Sequence, residues 1–230
     1  MQQDITIVYK DADVLIVKKP VGMPSQPDPT GARDALTAAS EALSAMGESG
    51  EVYLVHRLDR TVGGLIAFAR TKAAAAALCA LVSGEGIGKI YLAVCHGRPK
   101  EGRLTDYIYK DSAAKKAYCV KSERKGAKAA ALNLAVLAER DGMSLVAVRL
   151  ETGRFHQIRV QLASRANPLV GDKKYGSRDT KVRTPSLFAS RLDFTLFGRN
   201  ISADALPPTD EYPWSLFDIK GMECLYGGLL

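Results

Sequence analysis

On both sides of the dipeptide Asp141-Gly142 the chain alternates apolar and other residues: Leu132, Leu134 and Val136 before it, Val146, Val148 and Leu150 after it. Alternation with a period of two puts those side chains on one face of a strand, and an Asp-Gly pair marks a tight hairpin between two strands. A helix does not tolerate this pattern, so an antiparallel sheet is the first requirement on the fold. Ile5 to Tyr9 and Val14 to Val17 read as further short strands around the turn Lys10-Asp11-Ala12-Asp13. Leu65 to Ala69 and Ile90 to Val94 read as buried strands, residues 116–121 and 130–137 as others, and Leu187 to Leu196 as strand-like.

Helical segments are few. Ala32 to Met46 has helical composition and stops at Gly47, and Thr71 is the expected cap of a helix from Lys72 to Val82 that Gly84 ends. In LETGRFHQIRVQLASR, Phe155, Ile158 and Leu162 fall on one helical face with Thr152 as N-cap, which places Arg154 and Arg159 on the first and second turns. KKPVGMPSQPDPTG is too rich in proline and glycine for regular structure. Strands in runs with a few helices between predict an α+β fold, a mainly antiparallel mixed sheet flanked by helices, in a single domain spanning residues 1–230.

Composition excludes several classes. No apolar run approaches the roughly 20 residues that span a bilayer, and MQQDITIVYKD has no apolar signal core, so a cytoplasmic protein without a membrane association is expected. Cys79, Cys95, Cys119 and Cys224 are scattered, with no spacing that suits a metal or redox site. The net charge is +7. Residues 110–128 hold Lys110, Lys115, Lys116, Lys121, Arg124, Lys125 and Lys128, and residues 154–178 hold Arg154, Arg159, Arg165, Lys173, Lys174 and Arg178. Such clusters are either solvated faces or grips for a polyanion.

Three short segments could carry chemistry. Asp59 sits in His56-Arg57-Leu58-Asp59-Arg60, after an apolar stretch and before a glycine pair. A carboxylate among cations is either a structural salt-bridge partner or a nucleophile and electrostatic stabiliser. Gly153-Arg154-Phe155-His156-Gln157-Ile158-Arg159 gathers donors suited to an anion, or forms the charged face of an amphipathic helix. Tyr91, within Lys89-Ile90-Tyr91-Leu92-Ala93, is a packing residue unless its context says otherwise.

Taken together, HRLDR, KIYLA, LETGRFHQIR and PLVGDKKYG at 168–176, in this order and preceded by KKPVGMPSQP, resemble the ordered motifs of the RluA-type pseudouridine synthases from about residue 5 to about residue 195. The resemblance implies that Asp59 is the catalytic aspartate, Tyr91 the active-site tyrosine and Arg159 the arginine that pairs with the aspartate. It further implies that Arg57 holds the target nucleotide, with His56, Arg60, Arg154, His156 and Gln157 in support of substrate binding. The chain departs from the family pattern after HRLDR. Thr61-Val62-Gly63-Gly64-Leu65 lacks two hydroxyls that relatives carry there, Lys18 replaces an asparagine, and Phe188 replaces a histidine. With a first strand near residue 5, the expectation is a catalytic domain without the small N-terminal RNA-binding domain of many relatives.

The implied reaction isomerises uridine to pseudouridine in ribosomal or transfer RNA. The C1′–N1 bond breaks, the uracil turns while bound, and C5 joins C1′, with neither cofactor nor metal. A monomer is expected, with target-selecting segments at 24–50 and 98–128. The competing readings are a non-catalytic RNA-binding or ribosome-assembly factor on the same fold, and a nucleoside hydrolase. The hydrolase needs a second carboxylate to activate water, and no motif places one.

Overall fold

The computed structural model describes residues 4–84 and 86–220. In chain order the elements are β1 (Thr6–Lys10), β2 (Val14–Lys19), α1 (Ala35–Ala45), β3 (Tyr53–Leu54), β4 (Gly63–Ala69), α2 (Lys72–Ser83), β5 (Ile87–His96), β6 (Gly102–Asp111), β7 (Lys116–Val120), β8 (Ala127–Arg140), β9 (Met143–Leu150), α3 (Gln157–Ala163), β10 (Leu187–Leu196) and β11 (Arg199–Asp204). The class is α+β, as the strand-rich sequence requires. Two compact units form, one from the described residues of 1–89 with 189–205, the other from those of 90–188 with 206–230. Cys224 lies outside the described residues.

In the first unit the strands lie in the order β1-β2-β4-β10, with β3 also on β4 and β11 on β10. Asp11 tightens the β1–β2 turn by accepting the N–H groups of Asp13 and Val14, each at 2.8 Å. The helices begin where short polar side chains cap them. Asp34 accepts the Thr37 N–H at 3.0 Å and Thr71 accepts the Ala74 N–H at 3.1 Å. Leu78 of α2 packs with Val14, Ile16, Leu65, Ala67, Leu192 and Phe194 in one apolar cluster. Antiparallel pairing sets Lys18 opposite Leu65 and Lys19 opposite Gly64. The segment leaving β2 and the segment entering β4 therefore emerge at the same end, and the candidate aspartate lies in the latter.

In the second unit the order is β5-β9-β8-β6-β7. Asp141 and Gly142 have φ angles of 53° and 71°, so the two-residue turn joins β8 to β9 as their sequence demands. Leu92 and Val94 of β5 and Val146 and Val148 of β9 are fully buried. Val160 of α3 packs on Ile108 of β6, Ala117 of β7 and Ala130 of β8.

The start of α3 differs from expectation. The helix begins at Gln157, not after Thr152, and His156 precedes it with a left-handed φ of 55°. The reason is the Gln157 carboxamide, whose Oε1 accepts from Thr152 Oγ1 at 2.8 Å and from the Arg154 N–H at 2.9 Å. That bond folds 152–156 into a turn and diverts Thr152 from capping. Arg154 and Phe155 thus precede the helix, while Ile158 and Leu162 lie on it, buried.

Candidate active site

The first unit builds a clamped turn around Asp59. The Val62 N–H donates to the Asp59 carbonyl at 3.0 Å, a main-chain bond that closes the turn where the two hydroxyls are missing. The loop leaving β2 holds this turn. Ser25 Oγ accepts the Leu58 N–H at 3.0 Å and donates to the Leu58 carbonyl at 2.8 Å. The Gly22 N–H donates to the Arg60 carbonyl at 2.8 Å, and Arg60 Nε returns a bond to the Gly22 carbonyl at 2.9 Å. Gly64 follows with φ +115°, and a Cβ there would lie 2.8 Å from the Ala189 carbonyl carbon, so β10 admits only glycine at this point.

Lys19 ends β2 beneath this loop. It is fully buried, and its ammonium donates to the Met23 carbonyl at 2.8 Å and the Pro20 carbonyl at 3.1 Å. Burial pushes its pKa down to about 8, while the negative charge of Asp59 pulls it back up. A buried lysine thus sets a positive charge within electrostatic reach of Asp59. His56 has a structural place. Its Nε2 accepts the Ala67 N–H at 3.0 Å, and burial, with the charge of Lys89, lowers its pKa to about 3, so the ring is neutral. Arg57 is exposed to solvent.

The second unit holds the other expected residues. Tyr91 is buried on β5 opposite Val148. Arg159 and Asp172 form a buried two-pronged pair, Nε to Oδ2 at 2.7 Å and Nη2 to Oδ1 at 2.9 Å. The Arg159 guanidinium also lies 5.1 Å from the centroid of the Tyr175 ring. The Tyr175 hydroxyl accepts the Ala117 N–H at 2.8 Å and pairs with His156 Nδ1 at 2.9 Å. Burial lowers the His156 pKa to about 3, helped by the charges of Arg159 and Lys174. Arg154 Nε donates to the Ala129 carbonyl at 2.8 Å and Gln157 Nε2 to the Ala131 carbonyl at 3.0 Å, so both tie the turn before α3 to β8.

The structure thus gathers His56, Arg57, Asp59 and Arg60 in one clamped loop of the first unit. In the second unit Arg154, His156, Gln157 and Arg159 gather at the start of α3, and Tyr91 stands on β5. Sequence reasoning gave no role to Lys19, Asp172 or Tyr175. The last two lie inside PLVGDKKYG, but an aspartate before two lysines reads as a solvated turn, and its partner is thirteen residues earlier. Lys19 was placed in the proline- and glycine-rich stretch after Val17, whereas the strand runs on to Lys19 and buries it, a rare place for a lysine.

Comparison with known proteins supplies independent ground. The family model for RNA pseudouridylate synthase matches residues 13–164. A Zymomonas mobilis protein named ribosomal large subunit pseudouridine synthase D is 30% identical over 227 residues, covering 90% of this chain and 71% of its own length. An uncharacterized RNA pseudouridine synthase from the same organism is 34% identical, covering 88% of this chain and 93% of itself. For another, from Bacillus subtilis, 32% identical, the chain spans 63% of the relative's length. Among solved structures, human RNA pseudouridylate synthase domain containing 1 superposes with a TM-score of 0.74 over 89% of this chain and 84% of its own, at 24% identity.

Proposed function

The chain belongs to the RNA pseudouridylate synthase family, and on that premise we propose that it isomerises specific uridines of ribosomal RNA with Asp59 as the catalytic carboxylate. The observation that carries this reading is the Asp59 turn, clamped by Ser25, Gly22 and Arg60 and set near the buried Lys19 ammonium. Ribosomal RNA is favoured by the name of the Zymomonas mobilis relative. Transfer RNA is the alternative substrate.

The chemistry asks for little more than placement. A uridine must leave its stack before its C1′ can be reached, at a cost of roughly a few kcal/mol. Arg57, exposed beside Asp59 in sequence, can fill the vacated space. Cleavage of the C1′–N1 bond develops positive charge on the sugar, as in other glycosidic cleavages. The Asp59 carboxylate meets that charge. The uracil then turns, C5 bonds to C1′, the C5 proton leaves and N1, which kept the electron pair of the broken bond, takes up a proton, so the product is an isomer with no change in redox state. We assign Tyr91 to pack against the uracil and Arg159, fixed by Asp172, as the oriented cation of the same reaction. The support roles are His56 and Arg60 for the Asp59 loop and Arg154, His156 and Gln157 for the turn before α3. We read residues 1–230 as one catalytic domain, monomeric and cytoplasmic. Among the described residues no helix is long and apolar enough to cross a membrane.

The test is mass spectrometry of ribosomal and transfer RNA from cells lacking the protein, after chemical tagging of pseudouridine. The reading expects at least one site to vanish from ribosomal RNA and to return with wild-type protein but not with Asp59→Asn. Return of the site with Asp59→Asn would remove Asp59 from the mechanism.

A further inference from the structure

The second unit contains a cavity that the assignments above leave unused. It is an open groove of about 530 Å³ between β7, α3 and the turn that follows Asp172. Lys116, Lys173 and Lys174 line it, and no aspartate or glutamate does. None of the three lysines is in an ion pair among the described residues. The Lys116 ammonium lies 5.5 Å from the centroid of the Tyr118 ring and 5.4 Å from that of Tyr175. Lys174 Nζ donates to the Lys115 carbonyl at 2.9 Å. Rings hold the Lys116 ammonium and a carbonyl holds that of Lys174 without cancelling their charge, and with three lysines and no carboxylate in its lining the groove wall is positive.

Tyr118, also in the lining, is 42% exposed, so a face of its ring is open to solvent. Its cross-strand neighbour is Tyr109, whose ring is covered by the Arg124 guanidinium at 4.7 Å. The groove is preformed. Tyr175, one of its walls, is anchored through its hydroxyl to the Ala117 N–H and to His156. Asp172, at the head of the same turn, grips Arg159. One segment, 172–176, therefore shapes the groove and fixes the arginine.

We propose that this groove takes a single-stranded stretch of the substrate RNA outside the modified uridine, with phosphates on Lys116, Lys173 and Lys174 and a base stacked on Tyr118. Cations interleaved with an open aromatic ring are what a strand of nucleotides needs, since phosphates recur along it and every base offers a face. An acidic peptide would answer the lysines but not the Tyr118 ring. The inference rests on the RNA reading given above and deepens it.

The experiment uses the full chain, a fluorescein-labelled U12 oligonucleotide as binding probe, and unmodified transcripts of large-subunit ribosomal RNA as substrate. The variants are Tyr118→Ala, Tyr118→Phe and the triple Lys116→Gln/Lys173→Gln/Lys174→Gln. Tyr118, Lys173 and Lys174 are exposed and Lys116 is half-buried, and thermal unfolding that matches wild type is required of every variant. The triple variant is expected to raise KM at least about tenfold with kcat within about twofold, and to lower the salt slope of U12 binding by about 2, from roughly 0.7 per phosphate contact. Tyr118→Ala is expected to weaken U12 about tenfold, and Tyr118→Phe to restore it. Unchanged U12 affinity and salt slope in both the triple variant and Tyr118→Ala would overturn the groove, as would a poly-glutamate peptide that binds there more tightly than U12. Wild-type protein that binds U12 through these residues but forms no pseudouridine would leave the groove standing and overturn the enzymatic reading.

Discussion

Burial shapes the charged groups around the candidate site. Lys19 is an ammonium held inside the protein by two carbonyls, and it loses its proton near pH 8, not near its ordinary value of 10.5. Activity is therefore expected to fall as pH rises through about 8, as the positive charge near Asp59 disappears. Stability should move the other way. Between about 8 and 10.5 the unfolded chain holds the Lys19 proton that the folded chain has released, so unfolding becomes harder as pH rises in that window. A pH profile of kcat/KM and one of unfolding free energy separate the two effects, and Lys19→Met should remove both. Asp172 gives a second test. Asp172→Ala leaves the Arg159 guanidinium buried beside no carboxylate of that turn, and loss of one partner of a buried pair costs about 3–5 kcal/mol. Denaturant unfolding measures it. A loss below about 1 kcal/mol would show that Arg159 does not depend on Asp172. Asp59, Tyr91 and Arg159 stood out in the sequence as candidates only as members of ordered motifs. Lys19 and Asp172 did not, because their importance lies in dehydration and in a partner distant along the chain, neither of which a run of letters displays.

At the scale of elements, the clearest reading was the hairpin at Asp141-Gly142, where period and turn chemistry agree. The caps Asp34 and Thr71 were equally local, and Thr71 was read from the sequence directly. The start of α3 was misread because the Gln157 side chain competes with Thr152 for the same orphan donors, and sequence spacing cannot decide that competition. β6 was missed as a strand because Arg103, Thr105 and Asp106 dilute its apolar alternation, and β11 because only Ile201 and Ala203 face inward. Two glycines provide a matched test of how the elements meet. Gly142 has φ 71° with nothing within 4 Å of an added Cβ, so Gly142→Ala carries only left-handed strain, about 1–2 kcal/mol. Gly64 combines φ +115° with the β10 backbone at Ala189, so Gly64→Ala adds a collision that no side-chain rotation relieves. The second variant is expected to lose clearly more stability than the first in thermal unfolding. Equal losses would mean that β10 yields to the added carbon.

At the scale of the whole molecule, each unit holds one histidine that folding keeps neutral, His56 in the first and His156 in the second, both with pKa near 3. The unfolded chain protonates both near pH 6.5, so stability is expected to fall as pH drops from about 6.5 toward 3. The denaturant midpoint at pH 7.5 and at pH 5 checks this, with His56→Gln and His156→Gln each flattening the slope. That acid window lies away from the alkaline loss of activity assigned to Lys19, so the two pH effects do not mask each other. The net charge of +7 fits a polyanionic substrate, and the fold class and family were legible before any coordinates, because strand periodicity and motif order extend over most of the chain. The central claim is that Asp59 drives an isomerisation in which C5 of uracil exchanges its hydrogen for C1′. Its most direct test is the release of tritium from RNA that carries uridine tritiated at C5, incubated with purified protein. Wild-type protein should release the label from its target uridines, and Asp59→Asn should release none while binding the RNA with similar affinity. Release by Asp59→Asn at the wild-type rate would contradict the account.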